Sequence, residues 1–334
     1  MLKKIFNIQT ESEFREACLE TFRYQYENIE VYRKFVDLLN IVPDSVDEVE
    51  KIPFLPIEMF KNHQILDKSF SSEHYFQSSG TTNIQTRSRH FIADFSLYEE
   101  SIYRSFERFI GKPEDFIFLG LLPNYSENQH SSLIYMVDFL MKKSGKSENG
   151  YFLYNHQELF DLLKTLNNKK VILFGVSFAL LDFLDKEFDF NNLALSNLTI
   201  IETGGMKGRK EEMTKEELLK ILQQGFSTER IYSEYSMTEL LSQAYSLGKN
   251  TYETPDWMRV LIRNTEDPFS YVEDGRNGAI NIIDLANRHS CAFIATQDLG
   301  SIQQLSSSKS LHPAFSVMGR IDHSDIRGCS LLVS

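Results

Sequence analysis

Six consecutive residues, Ser78-Ser79-Gly80-Thr81-Thr82-Asn83, put hydroxyls on either side of a glycine. Small residues let a backbone curl so that several N–H groups point inward, which makes a nest for an anion. The hydroxyls of Ser78, Ser79, Thr81 and Thr82 add donors for phosphate oxygens, and Arg87 and Arg89 downstream supply positive charge. The same composition also makes a plain surface turn. No Gly-Lys-Ser/Thr ending follows, which disfavours a Walker-type loop and the nucleotide enzymes that use it.

Four further segments carry polar chemistry. Gly204-Gly205 allows close approach of backbone to a flat ring such as adenine, and Lys207, Arg209 and Lys210 behind it face either phosphate or solvent. Tyr235-Ser236-Met237-Thr238-Glu239 combines a ring that can stack on a base, a hydroxyl for phosphate and a carboxylate for Mg2+. Thr296-Gln297-Asp298-Leu299-Gly300 offers a carboxylate that can accept from two ribose hydroxyls. Gly319-Arg320-Ile321-Asp322 offers a guanidinium for ribose or phosphate. Taken singly, each is an ordinary turn.

The surrounding elements place these segments. The first 40 residues read as helical, with Phe14, Ala17, Cys18, Thr21 and Phe22 on one face. Pro43, Pro53 and Pro56 make residues 41–77 extended and irregular, with a strand at His74 to Gln77. Strands then alternate with helices. Phe116 to Leu122, Val171 to Phe174, Leu198 to Ile201 and Ile231 to Tyr235 read as strands. Leu133 to Met141, the stripe Leu159 to Leu166, Leu180 to Leu184 and a helix opened by a Thr214/Glu217 capping box lie between them. Such alternation predicts an α/β fold with a largely parallel sheet, and ligands at the carboxyl ends of its strands. Met258 to Ile262, Ala279 to Ile283 and Phe293 to Thr296 predict a smaller β subdomain. The expected organisation is an N-terminal segment over 1–75, a nucleotide-binding core over 76–250 and a β-rich part over 251–334.

Composition narrows the class. Of 334 residues, 42% are hydrophobic and 25% charged, as in an ordinary globular protein. A net charge of −12 disfavours a nucleic-acid partner. No apolar run approaches the roughly 20 residues of a membrane span. The N-terminus turns polar at Asn7, unlike a secretory leader, and the odd, scattered Cys18, Cys291 and Cys329 make no disulfide framework. A cytoplasmic location with reduced thiols is expected. His63, His74, His90, His130, His156, His289, His312 and His323 show no metal-ligand spacing; His130 faces either a pocket or solvent.

The serial order of these motifs resembles the adenylate-forming superfamily of acyl-CoA synthetases and firefly-type luciferases, over most of the chain from about residue 74. Pro123-Asn124-Tyr125-Ser126-Glu127 with Ser131 to Asp138, and Gly319-Arg320 with Asp325 to Leu331, are similar to the long-chain acyl-protein synthetases of bacterial bioluminescence, the LuxE-like family. That resemblance implies the N-terminal-domain type of fold without the usual mobile C-terminal domain. It implies ATP, Mg2+ and a fatty or other carboxylic acid as ligands. ATP or AMP would meet Ser78, Ser79, Gly80, Thr81, Thr82, Gly204, Gly205, Tyr235, Thr238, Asp298 and Arg320. Thr238 and Glu239 would be catalytic, with Glu239 on Mg2+. The acyl group would be captured on Cys329, whose thiol Arg327 would activate if the two share a strand face, and passed to an acyl reductase.

Departures from the pattern matter. Asn83 stands where glycine is usual, no lysine follows before Lys112, and Ser236 replaces a glycine. Two other readings therefore stay open. One is a ligase that delivers the acyl group to coenzyme A or a carrier protein, for surface polysaccharide or lipid assembly. The other is a non-catalytic adenylate-binding module.

Overall fold

The computed structural model describes residues 2–79, 87–123, 128–186, 188–190, 197–204, 213–305 and 307–321. Thr10 opens the first long helix, α1 (Glu11–Asn28), through a capping box with Glu13. A second helix, α2 (Glu30–Leu38), packs against it. The proline-containing stretch that follows is largely irregular, yet it holds a two-residue strand, β1 (Leu55–Pro56), and a single helical turn, α3 (Met59–Asn62). A small hairpin, β2 (Tyr75–Gln77) with β3 (Arg89–Phe91), flanks the hydroxyl-rich loop.

The next stretch is the expected alternation. It runs α4 (Phe95–Phe109), β4 (Ile117–Leu121), α5 (Ser132–Ser144), β5 (Gly150–Tyr151), α6 (His156–Thr165), β6 (Val171–Val176), α7 (Ser177–Leu184), β7 (Leu198–Thr203), α8 (Lys215–Phe226), β8 (Ile231–Tyr235) and β9 (Ala244–Ser246). The sheet order is β5-β4-β6-β7-β8-β9, parallel except for β9. Every residue of β4, β6 and β7 is buried, as expected where helices cover both faces; β4 and β6 are apolar throughout, while β7 also buries Thr199, Glu202 and Thr203. The predicted Thr214/Glu217 capping box opens α8.

The last third builds a second sheet from β10 (Met258–Arg263), β11 (Gly278–Asp284), β12 (Phe293–Gln303) and β13 (Ala314–Arg320). These strands pair antiparallel, and β1 joins β12 in parallel at the edge, where proline is tolerated. Strand β12 runs seven residues beyond Thr296, the predicted end, because β13 continues the ladder on its polar half. One buried cluster includes Phe14 of α1, Phe106 of α4, Leu173 of β6 and Phe293 of β12. No helix among the described residues is long and apolar enough to cross a membrane.

The two capping boxes give a direct test. Thr10→Ala and Thr214→Ala should each cost about 1 kcal/mol, read as a lower urea midpoint with unchanged slope. Unshifted midpoints would reject the cap assignment.

Candidate active site

Asp298 is the meeting point of three predicted segments. It sits on β12 directly opposite Arg320 of β13. Arg320 Nε donates to its Oδ1 at 3.2 Å, and the Tyr235 hydroxyl, at the end of β8, donates to its Oδ2 at 2.7 Å. Burial and the neighbouring carboxylate push the Tyr235 phenol well above its usual range, so it stays protonated and remains a donor. The Arg320 side chain is 76% exposed, free to meet a ligand with its remaining N–H groups. This register depends on a bulge: Leu299 faces Gly319, but Gly300 faces Val317. A Cβ on Gly300 would lie 2.2 Å from the Ser316 carbonyl oxygen, so only glycine lets the strands approach there.

Thr238 and Glu239 lie in the turn after β8, and three elements hold that turn. The Thr238 carbonyl is 3.0 Å from His90 Nδ1 of β3. A carbonyl only accepts, so Nδ1 carries the proton and Nε2 accepts from the Ser290 hydroxyl at 2.7 Å. Asn287 Nδ2 donates to the Glu239 carbonyl at 2.7 Å. The N–H groups of Leu241 and Ser242 both donate to Asp284 Oδ2 at 2.9 Å. The Glu239 carboxyl is buried, which raises its pKa, while the Ser88 hydroxyl and the charges of Arg320 and Lys61 work the other way. Glu239 therefore shares a neighbourhood with the Asp298 cluster.

Ser78 closes the base of the hydroxyl-rich loop. Its N–H donates to the Ser88 carbonyl and its hydroxyl accepts from the Ser88 N–H, both at 3.1 Å. Ser79 follows it, exposed. Gly80, Thr81, Thr82 and Asn83 lie outside the described residues, as do Gly205, Lys207, Arg209, Lys210, Asp322, Arg327 and Cys329. Gly204 leaves β7 with φ +73°, beside the end of β8, since Thr203 pairs with Glu234. His130 resolves as a brace: Nδ1 bonds the Tyr75 carbonyl at 3.0 Å and the ring stacks on Tyr75. Arg89 lies over the other side chain of that pair, 5.3 Å from the Tyr75 ring centroid. Sequence reasoning missed His90, Ser88 and Asp284 as positioning groups. The signal in the sequence is the alternation Arg87-Ser88-Arg89-His90, whose arginines are exposed and whose Ser88 and His90 are buried.

The sequence profile of the acyl-protein synthetase family LuxE matches residues 5–99 and 128–334. The chain belongs to the LuxE acyl-protein synthetase family. Within the LuxE context, one relative is the long-chain-fatty-acid–luciferin-component ligase of Photorhabdus luminescens, 28% identical over 74 residues. That match spans 22% of this chain and 63% of the relative, less than two thirds of its length. Among solved structures, an open 2-hydroxyisobutyryl-CoA ligase in complex with 2-HIB-AMP and CoA aligns with TM-score 0.69 and 12% identity, over 94% of this chain and 70% of that one. ATP-bound MatB from Rhodopseudomonas palustris aligns with TM-score 0.51 and 14% identity, over 74% of this chain and 47% of its own. A luciferase-like enzyme from the mealworm Zophobas morio aligns with TM-score 0.51 and 15% identity, over 76% and 58%. These likenesses establish the adenylate-forming fold for this LuxE-family chain, with mixed sheets flanked by helices.

The His90 brace carries a pH dependence. Burial pushes the ring's pKa down to about 4, below the roughly 6.5 of an unfolded histidine. Its stabilising contribution is therefore complete above pH 6.5 and is lost as pH falls toward 4, on the order of 3 kcal/mol in all. His312, buried and pushed down to about 3, adds loss of the same sign. In chemical melts from pH 7 to pH 4, His90→Asn, whose amide can still donate to Thr238, should lose less stability than the parent. Equal losses would show that His90 does not titrate in this way.

Proposed function

We propose that this chain activates a carboxylic acid, a fatty acid in the pattern of its family, with ATP and transfers the acyl group to a thiol. The convergence of Tyr235, Asp298, Arg320 and Glu239 from two sheets supports this reading most strongly. A substrate carboxylate oxygen attacks the α-phosphorus of ATP; that O–P bond forms as the bond to pyrophosphate breaks. A thiolate then attacks the acyl carbon, forming C–S and releasing AMP. Both steps need charge held off the phosphates.

Roles follow from position. Asp298 accepts from ribose hydroxyls, with the Tyr235 phenol fixing one of its oxygens. Arg320 uses its exposed guanidinium on ribose or phosphate. Thr238 offers its hydroxyl to the α-phosphate. The loop from Ser78 to Thr82 and the pair Gly204-Gly205 complete the nucleotide contacts. Mg2+ fits Glu239: the carboxyl is buried, its pKa is raised, and it forms no ion pair among the described residues. Mg2+ commonly takes one or two protein carboxylates and completes its shell with substrate phosphate and water; bound there, it would screen the phosphate charge.

Cys329 is the proposed acyl carrier, by family resemblance. Cys18 and Cys291 are buried, and burial pushes their thiols up, Cys291 to about 12, so neither is a nucleophile at neutral pH. A partner reductase would receive the acyl group; coenzyme A or a carrier protein is the alternative acceptor.

ATP–pyrophosphate exchange with a panel of carboxylic acids tests the first step. Arg320→Ala and Thr238→Ala should each lower exchange by about 10²-fold or more while the chain stays folded. Absence of acid-dependent exchange in the parent would end the reading. Cys329→Ser should keep exchange but lose acyl label that survives denaturation and is released by hydroxylamine. Label retained in that variant would reject Cys329 as the carrier.

A further inference from the structure

Two buried residues beside the nucleotide motifs have no part in the chemistry above. Thr203 ends β7 one residue before Gly204, and Glu234 precedes Tyr235 on β8. They are register partners, and the Thr203 hydroxyl donates to Glu234 Oε2 at 2.5 Å. Successive strand residues point to opposite faces. Tyr235 packs on Tyr252 and Phe315 and reaches Asp298. Glu234 faces the other way, toward α4. Its partner across the ladder is Tyr245, whose ring packs on Phe106 and Phe109 of α4. Its field also reaches the Tyr98 phenol of α4.

Glu234 is only 3% exposed, and among the described residues its Oε1 has no hydrogen-bond partner; the hydroxyl of its neighbour Tyr245, 1% exposed, has none among them either. Folded proteins pair nearly all such atoms, so two open ones on adjacent residues of one face ask for a ligand. Burial raises the Glu234 carboxyl to about 6, while the Thr203 and Ser236 hydroxyls and the Lys215 charge favour its ionised form. An aromatic wall stands on the same side: Tyr98 stacks on Tyr135 of α5, and Phe76 of β2 lies edge-on to both. The site is at the carboxyl ends of parallel strands, where ligands of such sheets bind.

We propose that Glu234, held by Thr203, determines acid specificity, and that the acid carries a hydrogen-bond donor, a hydroxyl or an ammonium, near its carboxyl group. This rests on the adenylation reading and names the substrate class for it. A bare alkyl chain leaves Oε1 unpaired in the complex; a donor-bearing chain satisfies it.

The test compares octanoate with 2-hydroxy-, 3-hydroxy- and 3-amino-octanoate. In ATP–pyrophosphate exchange with the full chain, the best donor-bearing acid should exceed octanoate in kcat/KM by at least about tenfold. Glu234→Leu should bring that ratio close to one, and Glu234→Gln, which keeps an accepting oxygen and the side-chain shape, should retain part of it. The same acids are titrated without ATP by thermal shift. The donor-bearing acid should raise the melting temperature of the parent more than octanoate does, and Glu234→Leu should erase the difference. Exchange that favours octanoate, or a preference that survives Glu234→Leu, overturns the proposal. If no acid supports exchange, the adenylation reading fails, and the thermal-shift ranking alone decides whether Glu234 selects a donor.

Discussion

A carboxylate 9% exposed, caught between a half-buried phenol and an exposed guanidinium, ties the two sheets together. Asp298 and Arg320 belong to the second sheet, and Tyr235 ends a strand of the first. The Tyr235 phenol is half-buried, and its hydrogen bond to Asp298 is worth about 1.5–3 kcal/mol as a bond to a charged group. The pair therefore fixes how the end of β8 approaches β12. Arg320 contributes little to stability from so exposed a position. Its value lies in where it points.

The turn after β8 is held by a different principle. Thr238 and Glu239 are bound through their carbonyls, and Leu241 and Ser242 through their N–H groups, by His90, Asn287 and Asp284. At Thr238 and Glu239 these contacts use only the backbone, while the Glu239 carboxyl is met separately by the Ser88 hydroxyl. Preorganised polar groups cost no reorganisation when charge develops near them. Asp284 works as such a clamp because both its oxygens are filled: Oδ1 also accepts from the Ser242 hydroxyl at 2.6 Å.

Legibility in the sequence followed physical distinctness. An unbroken apolar run such as Val171 to Phe174 has one stable fate, burial between helices, and it forms part of β6; Leu198 to Ile201, apolar but for Thr199, forms part of β7. The Thr214/Glu217 box is a local hydrogen-bond pattern, readable within four residues. Leu55–Pro56 was not readable as a strand, since two residues carry no period and its partner on β12 lies more than 200 residues away. The polar half of β12 was missed for a related reason: Asp298, Gly300 and Gln303 are poor strand formers, and only pairing with β13 makes them one. At the site, motif order brought Tyr235, Asp298 and Arg320 together on paper. His90 was one histidine among eight, and only tertiary structure sets its ring against Thr238.

The charge around these strand ends constrains any anionic ligand. Glu202, Glu234, Glu239, Asp284 and Asp298 are all buried, whereas Lys215 pairs with Glu202 and Arg320 with Asp298. Burial pushes Glu234 and Asp284 up to about 6 and raises Glu239 as well, each against hydroxyl or N–H donors that favour the ion. A polyphosphate brought among such groups meets repulsion that a low-dielectric site would not screen. The acids must then be protonated, consumed by hydrogen bonds or faced by a cation. Asp284 takes the second route, and Thr203 partly supplies it for Glu234. Glu239 takes the third route in part: beside the Ser88 hydroxyl, the charges of Arg320 and Lys61 favour its ionised form against burial.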